Sequence, residues 1–95
     1  MNTYELMVIY SPTLGDSGVK TQIDGLKKKI EALSGKVATE DFWGLKDLAY
    51  PMHGLTQAYY TVLTINLDPL KVADISDFLN KQEKIVIRNM LSSVE

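Results

Sequence analysis

Side chains suited to catalysis are few in this sequence and are not grouped. The single histidine, His53, has no cysteine beside it, since the chain contains none, and no Ser-Asp arrangement supports it as a base. Glu40 and Asp41 are adjacent and would point to opposite faces of a strand. Asp74 and Asp77 would share a helix face without a third ligand for a metal. We therefore predict no catalytic residue, no metal site, no cofactor and no small-molecule substrate.

Two stretches have residue types that suit phosphate groups. Residues 15–18 (Gly-Asp-Ser-Gly) lack the Gly-Lys-(Ser/Thr) ending of a nucleotide-binding loop, so such a loop is not indicated. Residues 27–29 (Lys-Lys-Lys) have the charge to meet phosphates. A run of this kind is more often the solvated side of an amphipathic helix, and both interpretations stay open.

Composition and charge limit the classes of protein to which the chain can belong. Its 95 residues, 45% of them hydrophobic, fit a single domain over residues 1–95. Ten basic and twelve acidic residues give a net charge of −2, which is not typical of a protein that binds nucleic acid unaided. There is no signal-peptide pattern and no apolar run of the roughly 20 residues that a membrane helix needs, so we expect a cytoplasmic protein without membrane contact.

Hydrophobic periodicity predicts six elements in the order β-α-β-β-α-β. Strands are predicted over residues 4–10, 36–50, 58–67 and 84–92, with a bulge or bend at Gly44 and a loop over residues 53–57. At Pro51 the second strand is expected either to end or to become an edge strand. The two helices are recognised by their apolar stripes, which are Val19, Ile23, Leu26, Ile30 and Leu33 in the first and Val72, Ile75 and Leu79 in the second.

The helix ends are predicted from capping residues. We expect Asp16 or Ser17 to cap the start of the first helix and Gly35 to adopt the left-handed conformation after its end. Asp68, followed by proline, is the expected cap of the second helix, which should end at residue 80 or 81.

This order of elements predicts an α+β fold. Right-handed crossovers place both helices on one face of a four-stranded antiparallel sheet with strand order 4-1-3-2, the ferredoxin-like two-layer sandwich. The core is expected to form between the helix stripes and the strand residues Leu6, Val8, Leu63, Ile65 and Leu67.

One face of such a sheet has no helix over it. The strand alternation assigns to that face Met7, Ile9, Tyr60 and Val62, with Trp43 or Phe42. A contiguous apolar set is typical of a partner-binding surface, although coverage by terminal residues or a loop is the alternative. RNA-recognition domains share the topology, but they stack bases on several sheet aromatics; here only one of the adjacent Tyr59 and Tyr60 can serve, and flanking cations are missing.

The central part of the chain carries a family resemblance. Gly44-Leu45-Lys46 followed by Leu-Ala-Tyr-Pro-Met at residues 48–52 resembles the Gly-x-(Lys/Arg)-x-Leu-Ala-Tyr-Pro-(Ile/Met) motif of bacterial small-subunit ribosomal protein number six. Weaker matches occur in the same order along the chain. They are Tyr4-Glu5, Tyr59-Tyr60 and Ile87-Arg88.

The resemblance implies a ferredoxin-like, non-catalytic and metal-free constituent of the small ribosomal subunit. It further implies binding to the central domain of small-subunit rRNA as a heterodimer with small-subunit protein number eighteen. Lys46 and Arg88, by their positions in family-like motifs, are the expected phosphate contacts, with His53 as a third RNA-binding candidate. The open-face residues Met7, Ile9, Trp43, Tyr60 and Val62 are the expected partner contacts.

Departures from the family pattern concern RNA contacts rather than the fold. Asp47 follows Lys46 where a second cation is common, and Ala58 replaces a glycine after a loop that is often rich in lysine. A different class of function is a stand-alone homodimer that closes its sheet face on a second copy and binds a small ligand there. That alternative requires a pocket with convergent polar groups.

Overall fold

The structure is a computed structural model that describes residues 2–52, 54–82 and 84–94. Four strands and two α-helices follow one another in the predicted order. Their bounds are β1 Asn2–Tyr10, α1 Gly15–Ala32, β2 Lys36–Met52, β3 Leu55–Leu67, α2 Val72–Asn80 and β4 Val86–Ser93. A 3-10 turn precedes each helix, Pro12–Leu14 before α1 and Pro69–Lys71 before α2.

The four strands form one antiparallel sheet in the order β2-β3-β1-β4, which confirms the predicted order 4-1-3-2. β1 lies between β3 and β4, and its register places Met7 opposite Val62 on one side and Met90 on the other. Because side chains directly opposite one another in a ladder share a face, this register determines which residues meet on each side of the sheet.

The core lies between the helices and one face of the sheet, as the alternation predicts. Leu33 and Val72, expected in the helix stripes, are only partly buried, whereas Tyr4, Tyr10, Tyr59 and Val86 add to the core. The expected strand residues are at most 1% exposed and the other helix-stripe residues at most 2%: Leu6, Val8, Leu63, Ile65, Leu67, Val19, Ile23, Leu26, Ile30, Ile75 and Leu79.

Tyr10 is a fully buried side chain whose hydroxyl has no hydrogen-bond partner among the described residues. Burial raises the pKa of this hydroxyl well above the ordinary value. Since an unpartnered buried hydroxyl costs about 1–3 kcal/mol, we expect Tyr10→Phe to raise the free energy of unfolding at neutral pH by about 1 kcal/mol.

The same substitution changes the expected response to alkaline pH. The pKa of Tyr10 is higher in the folded than in the unfolded chain, so the folded state holds its proton more tightly and stability falls as pH rises above about 10. Urea unfolding at pH 7 and pH 10.5 should show a smaller alkaline loss in Tyr10→Phe. Tyr4→Phe is the matched control, because Asn2 donates a hydrogen bond of 3.4 Å to the Tyr4 hydroxyl. An equal gain in both variants would contradict the prediction.

Both predicted caps of α1 are wrong. The chain enters through the 3-10 turn, where the Ser11 hydroxyl accepts a hydrogen bond from the Thr13 N–H, so the helix begins at residue 15 without Asp16 or Ser17 as its cap. At the other end Ser34, with φ of 64°, takes the left-handed position predicted for Gly35. The Gly35 N–H donates to the Ile30 carbonyl at 2.9 Å, which completes a Schellman ending.

The start of α2 follows the prediction more closely. Asp68 accepts a hydrogen bond of 3.0 Å from the Leu70 N–H and caps the 3-10 turn that leads into the helix. The helix ends at Asn80, as expected.

The predicted loop over residues 53–57 is largely strand. β2 continues to Met52, which pairs with Leu55 at the start of β3, and Gly54 has the left-handed φ of 75°. Of the two alternatives predicted for Pro51, the edge strand is confirmed, because β2 continues through Pro51 at the edge of the sheet, where one side of the backbone needs no ladder bonds. His53 lies outside the described residues.

Candidate functional site

The sheet surface opposite the helices is the candidate site, and we call it the open face. One row of paired positions crosses all four strands, from Gly44 on β2 through Tyr60 and Ile9 to Arg88 on β4. The next row contains Asp41, Val62, Met7 and Met90. The predicted members thus lie together. The central residues of the open face are Met7, Ile9, Trp43, Tyr60, Val62, Arg88 and Met90.

Trp43 reaches the open face because β2 is bulged at that point. Phe42 and Gly44 pair with consecutive residues of β3, so Trp43 is the extra residue, and Gly44 has the left-handed φ of 78°. The indole stacks on Tyr60 with 6.3 Å between ring centroids and 7° between planes. Its N–H donates to the Asp41 carboxylate at 2.8 Å. Trp43 is therefore oriented by its neighbours while 45% of it remains exposed.

The sequence does not determine whether Phe42 or Trp43 lies on the open face, and the bulge determines it. Phe42 lies on the core side, where its ring stacks on Tyr59 with 6.1 Å between centroids. The predicted bulge at Gly44 is confirmed, and Trp43 rather than Phe42 belongs to the open face.

A shallow groove of about 230 Å³ lies on the open face between the central strands and β4. Met90 is 47% exposed at its border, whereas Ile9 is only 5% exposed because neighbouring side chains already cover it. The groove is lined by Met7, Ile9, Tyr60, Arg88, Asn89 and Met90.

Met90 is the residue of this surface that sequence reasoning missed. Three consecutive apolar residues at 85–87 obscure the period of two, so the facing of β4 is ambiguous in the sequence. The pairing of Met7 with Met90 resolves it. The Ile-Arg pair at residues 87 and 88, had it been used to set the alternation, would have placed Arg88 and Met90 on one face.

The two expected phosphate contacts within the described residues lie on the open face at opposite edges of the sheet. Lys46 pairs with Ala58 on β3 and Arg88 with Ile9 on β1, and both cations are exposed. With strands about 4.8 Å apart, they are separated by roughly 15 Å, so they would meet different phosphates. Among residues 2–52, 54–82 and 84–94, neither forms an ion pair.

Two of the three lysines at residues 27–29 on α1 contact other side chains of the protein. Lys27 forms an ion pair with Glu40 on β2 and lies 3.7 Å from Asp24, and the hydrogen bond to Glu40 is the main reason that the pKa of Lys27 is raised. The Lys29 ammonium lies 5.9 Å from the centre of the Phe78 ring. These contacts on the helix side favour the structural interpretation of the run over phosphate binding.

Two further features bear on metal binding and on membrane insertion. The described part of the chain holds no group of three or more side chains with the spacing of a metal site. Neither α1 nor α2, as described, has the length and apolar character required to span a bilayer.

Together, the sheet order and the uncovered face define a ferredoxin-like α+β sandwich with one open surface. A family model described as "Ribosomal protein S6" matches residues 3–92. The chain belongs to the ribosomal protein S6 family. This is the family of the resemblance, a family of ribosomal structural proteins, and membership agrees with the predicted location on the cytoplasmic ribosome.

Individual relatives are similar over most of their length. The small ribosomal subunit protein bS6 of Dictyoglomus turgidum is 33% identical over 95 residues, covering the whole of this chain and 97% of the relative. The protein of the same name from Clostridium botulinum is 32% identical over the full length of both chains. The crystal structure of 30S ribosomal protein S6 from Thermotoga maritima superposes with a TM-score of 0.91 at 24% identity, covering 97% of this chain and 86% of that one, which shows the shared fold.

Proposed function

We propose that this protein is a non-catalytic structural constituent of the small ribosomal subunit that binds the central domain of small-subunit rRNA together with small-subunit protein number eighteen. It acts in ribosome assembly and translation as a rigid adaptor. The observation that carries the proposal is the open face, where a stacked Trp43–Tyr60 pair and neighbouring apolar side chains lie between two exposed cations, Lys46 and Arg88.

The apolar part of the open face around Trp43, on the β2 side, is the proposed docking surface for the partner protein. Trp43 is nearly half exposed on the edge strand β2, and Val62 lies on the neighbouring strand β3 of the same surface. A contiguous exposed apolar patch costs solvation free energy unless a partner covers it, and aromatic residues held in place are typical anchors of such interfaces.

Charge explains why a partner is needed for RNA binding. With a net charge of −2 the chain repels a polyanion overall, and Asp41 and Glu5 are exposed on the open face. Lys46 and Arg88 then act as local phosphate contacts, whereas a basic partner supplies most of the long-range attraction. The test is titration of a central-domain rRNA fragment with this chain, with the partner and with both. Tight binding should require both.

We expect Lys46→Ala and Arg88→Ala each to reduce the salt dependence of rRNA binding by the heterodimer. A plot of the logarithm of affinity against the logarithm of salt concentration has a negative slope. Removal of one phosphate-binding cation should reduce the magnitude of that slope by about 1. The control is Lys20→Ala, because Lys20 is exposed on α1, on the helix side of the sheet. A slope that stays unchanged in Lys46→Ala or in Arg88→Ala removes that residue from the RNA interface.

The homodimer alternative makes the opposite prediction about association of the free chain. If the open face is reserved for a different protein, sedimentation at micromolar concentration should show a monomer. A dimer that Trp43→Ala dissociates would instead favour closure of the open face on a second copy.

A further inference from the structure

The groove beside β4 differs in character from the rest of the open face. Tyr60 separates it from the indole of Trp43, because Tyr60 pairs with Gly44 on one side and with Ile9 on the other. Its volume of about 230 Å³ is below the roughly 300–1,000 Å³ of sites for drug-sized ligands. It therefore suits one small group rather than a drug-sized ligand.

The lining of this groove combines apolar, aromatic and cationic groups. Met7 and Met90 supply polarisable sulfur and methyl groups, which make favourable contacts with aromatic rings. Tyr60 supplies an aromatic ring, and Arg88 supplies an exposed guanidinium at the edge of the sheet. Unpaired RNA bases are bound by such side chains, through stacking on aromatic rings or guanidinium planes.

Arg88 gives the groove its charge preference. The acidic residues of the open face are Asp41, whose carboxylate accepts from the Trp43 indole, and Glu5, which pairs with Thr64 and Ser92 beyond the groove. Arg88 has no ion pair within the described ranges, so its charge is available to an anionic ligand.

We infer that the groove lined by Met7, Ile9, Tyr60, Arg88 and Met90 receives one unpaired RNA base, with the adjoining phosphate on Arg88. This inference rests on the proposed function and adds to it a base contact in addition to the phosphate contacts. It differs from the stacking of several bases across a sheet, because Tyr59 is committed to the core and Trp43 already stacks on Tyr60.

The test uses the full chain labelled with ¹³C in its methionine methyl groups, observed by NMR. The probes are single-stranded hexa-adenylate, hexa-uridylate and a hexamer of the same ribose-phosphate backbone without bases. The methyl signals of Met7 and Met90, assigned with Met7→Leu and Met90→Leu, should move upfield with the base-containing hexamers because of ring currents. The abasic hexamer should bind several-fold more weakly and leave both signals in place.

Two variants separate base contact from phosphate contact. Tyr60→Leu keeps an apolar side chain of smaller size. It should lower the affinity for the base-containing hexamers about tenfold and change the affinity for the abasic hexamer little. Lys46→Ala should lower the affinity for all three hexamers by a similar factor. A Tyr60→Leu variant that binds base-containing and abasic hexamers with unchanged relative affinity would overturn the inference.

Two further outcomes would also overturn it. Equal binding of all three probes with unmoved methionine signals would mean that only phosphates are bound. Methionine signals that move with protein number eighteen alone, and not with RNA, would mean that the groove receives a partner side chain. Neither outcome bears on the proposed function. That function is tested separately, by binding of the heterodimer to the rRNA fragment.

Discussion

Trp43→Ala is expected to weaken the heterodimer by about 30-fold or more, which corresponds to about 2 kcal/mol. The indole is held in place by its stack on Tyr60 and by its hydrogen bond to Asp41, so little conformational freedom disappears when a partner covers it. It also lies on the open face with 45% of its surface still exposed. The measurement is isothermal titration of the partner protein into the variant.

The control for this prediction is another exposed apolar residue outside the open face. Leu70 is 86% exposed in the 3-10 turn before α2, and Leu70→Ala should leave partner affinity unchanged. Trp43→Phe should retain part of the affinity, because it keeps a ring for the stack but cannot make the hydrogen bond. If Trp43→Ala and Leu70→Ala have the same affinity as the parent chain, the partner does not bind over Trp43.

Gly35→Ala is expected to destabilise the fold by about 1–3 kcal/mol. A Cβ at this position would lie 2.8 Å from Leu67 Cδ1, 2.9 Å from Ile30 Cγ2 and 3.0 Å from the Asn66 carbonyl oxygen. Ile30 and Leu67 are fully buried, and Asn66 contributes backbone, so none of the three can move without disturbing the core. Urea unfolding monitored by circular dichroism measures the change.

Gly25→Ala is the matched variant, and we expect it to change the free energy of unfolding in the opposite direction. Gly25 lies within α1, and a Cβ there would have nothing within 4 Å. Alanine should stabilise the helix by about 0.5–1 kcal/mol, since it restricts the unfolded chain and favours helix. Equal effects of the two substitutions would show that close packing at the end of α1 is not what requires glycine.

The topology and both faces of the central strands could be predicted from the sequence. β1 and β3 alternate cleanly, so the alternation places each residue on the correct face, and right-handed crossovers then determine the strand order. Gly44 is recognisable as a bulge because glycine interrupts a strand pattern there.

The errors occur where local signals compete. Ser11 caps the 3-10 turn that precedes α1, and the helix itself begins without a side-chain cap from Asp16 or Ser17. Ser34 accepts the left-handed conformation so that Gly35 can pack closely against Ile30 and Leu67, a constraint visible only in three dimensions. The loop predicted over residues 53–57 is too long, because residues 55–57 already belong to β3.

The candidate site is predictable in its aromatic and central parts but not at its edges. Trp43 cannot be separated from Phe42 by sequence, because the register on either side of a bulge depends on which residue is extra. Met90 is missed because the apolar run at residues 85–87, where β4 begins, hides the alternation. Both residues become assignable only through their pairing partners.

We expect the partner protein to dock on the part of the open face around Trp43. The chain contains a single tryptophan, so 5-fluorotryptophan gives one ¹⁹F signal, at Trp43 on that face. Titration with small-subunit protein number eighteen should shift this signal. An unchanged signal in a heterodimer whose formation is verified by sedimentation would contradict this expectation.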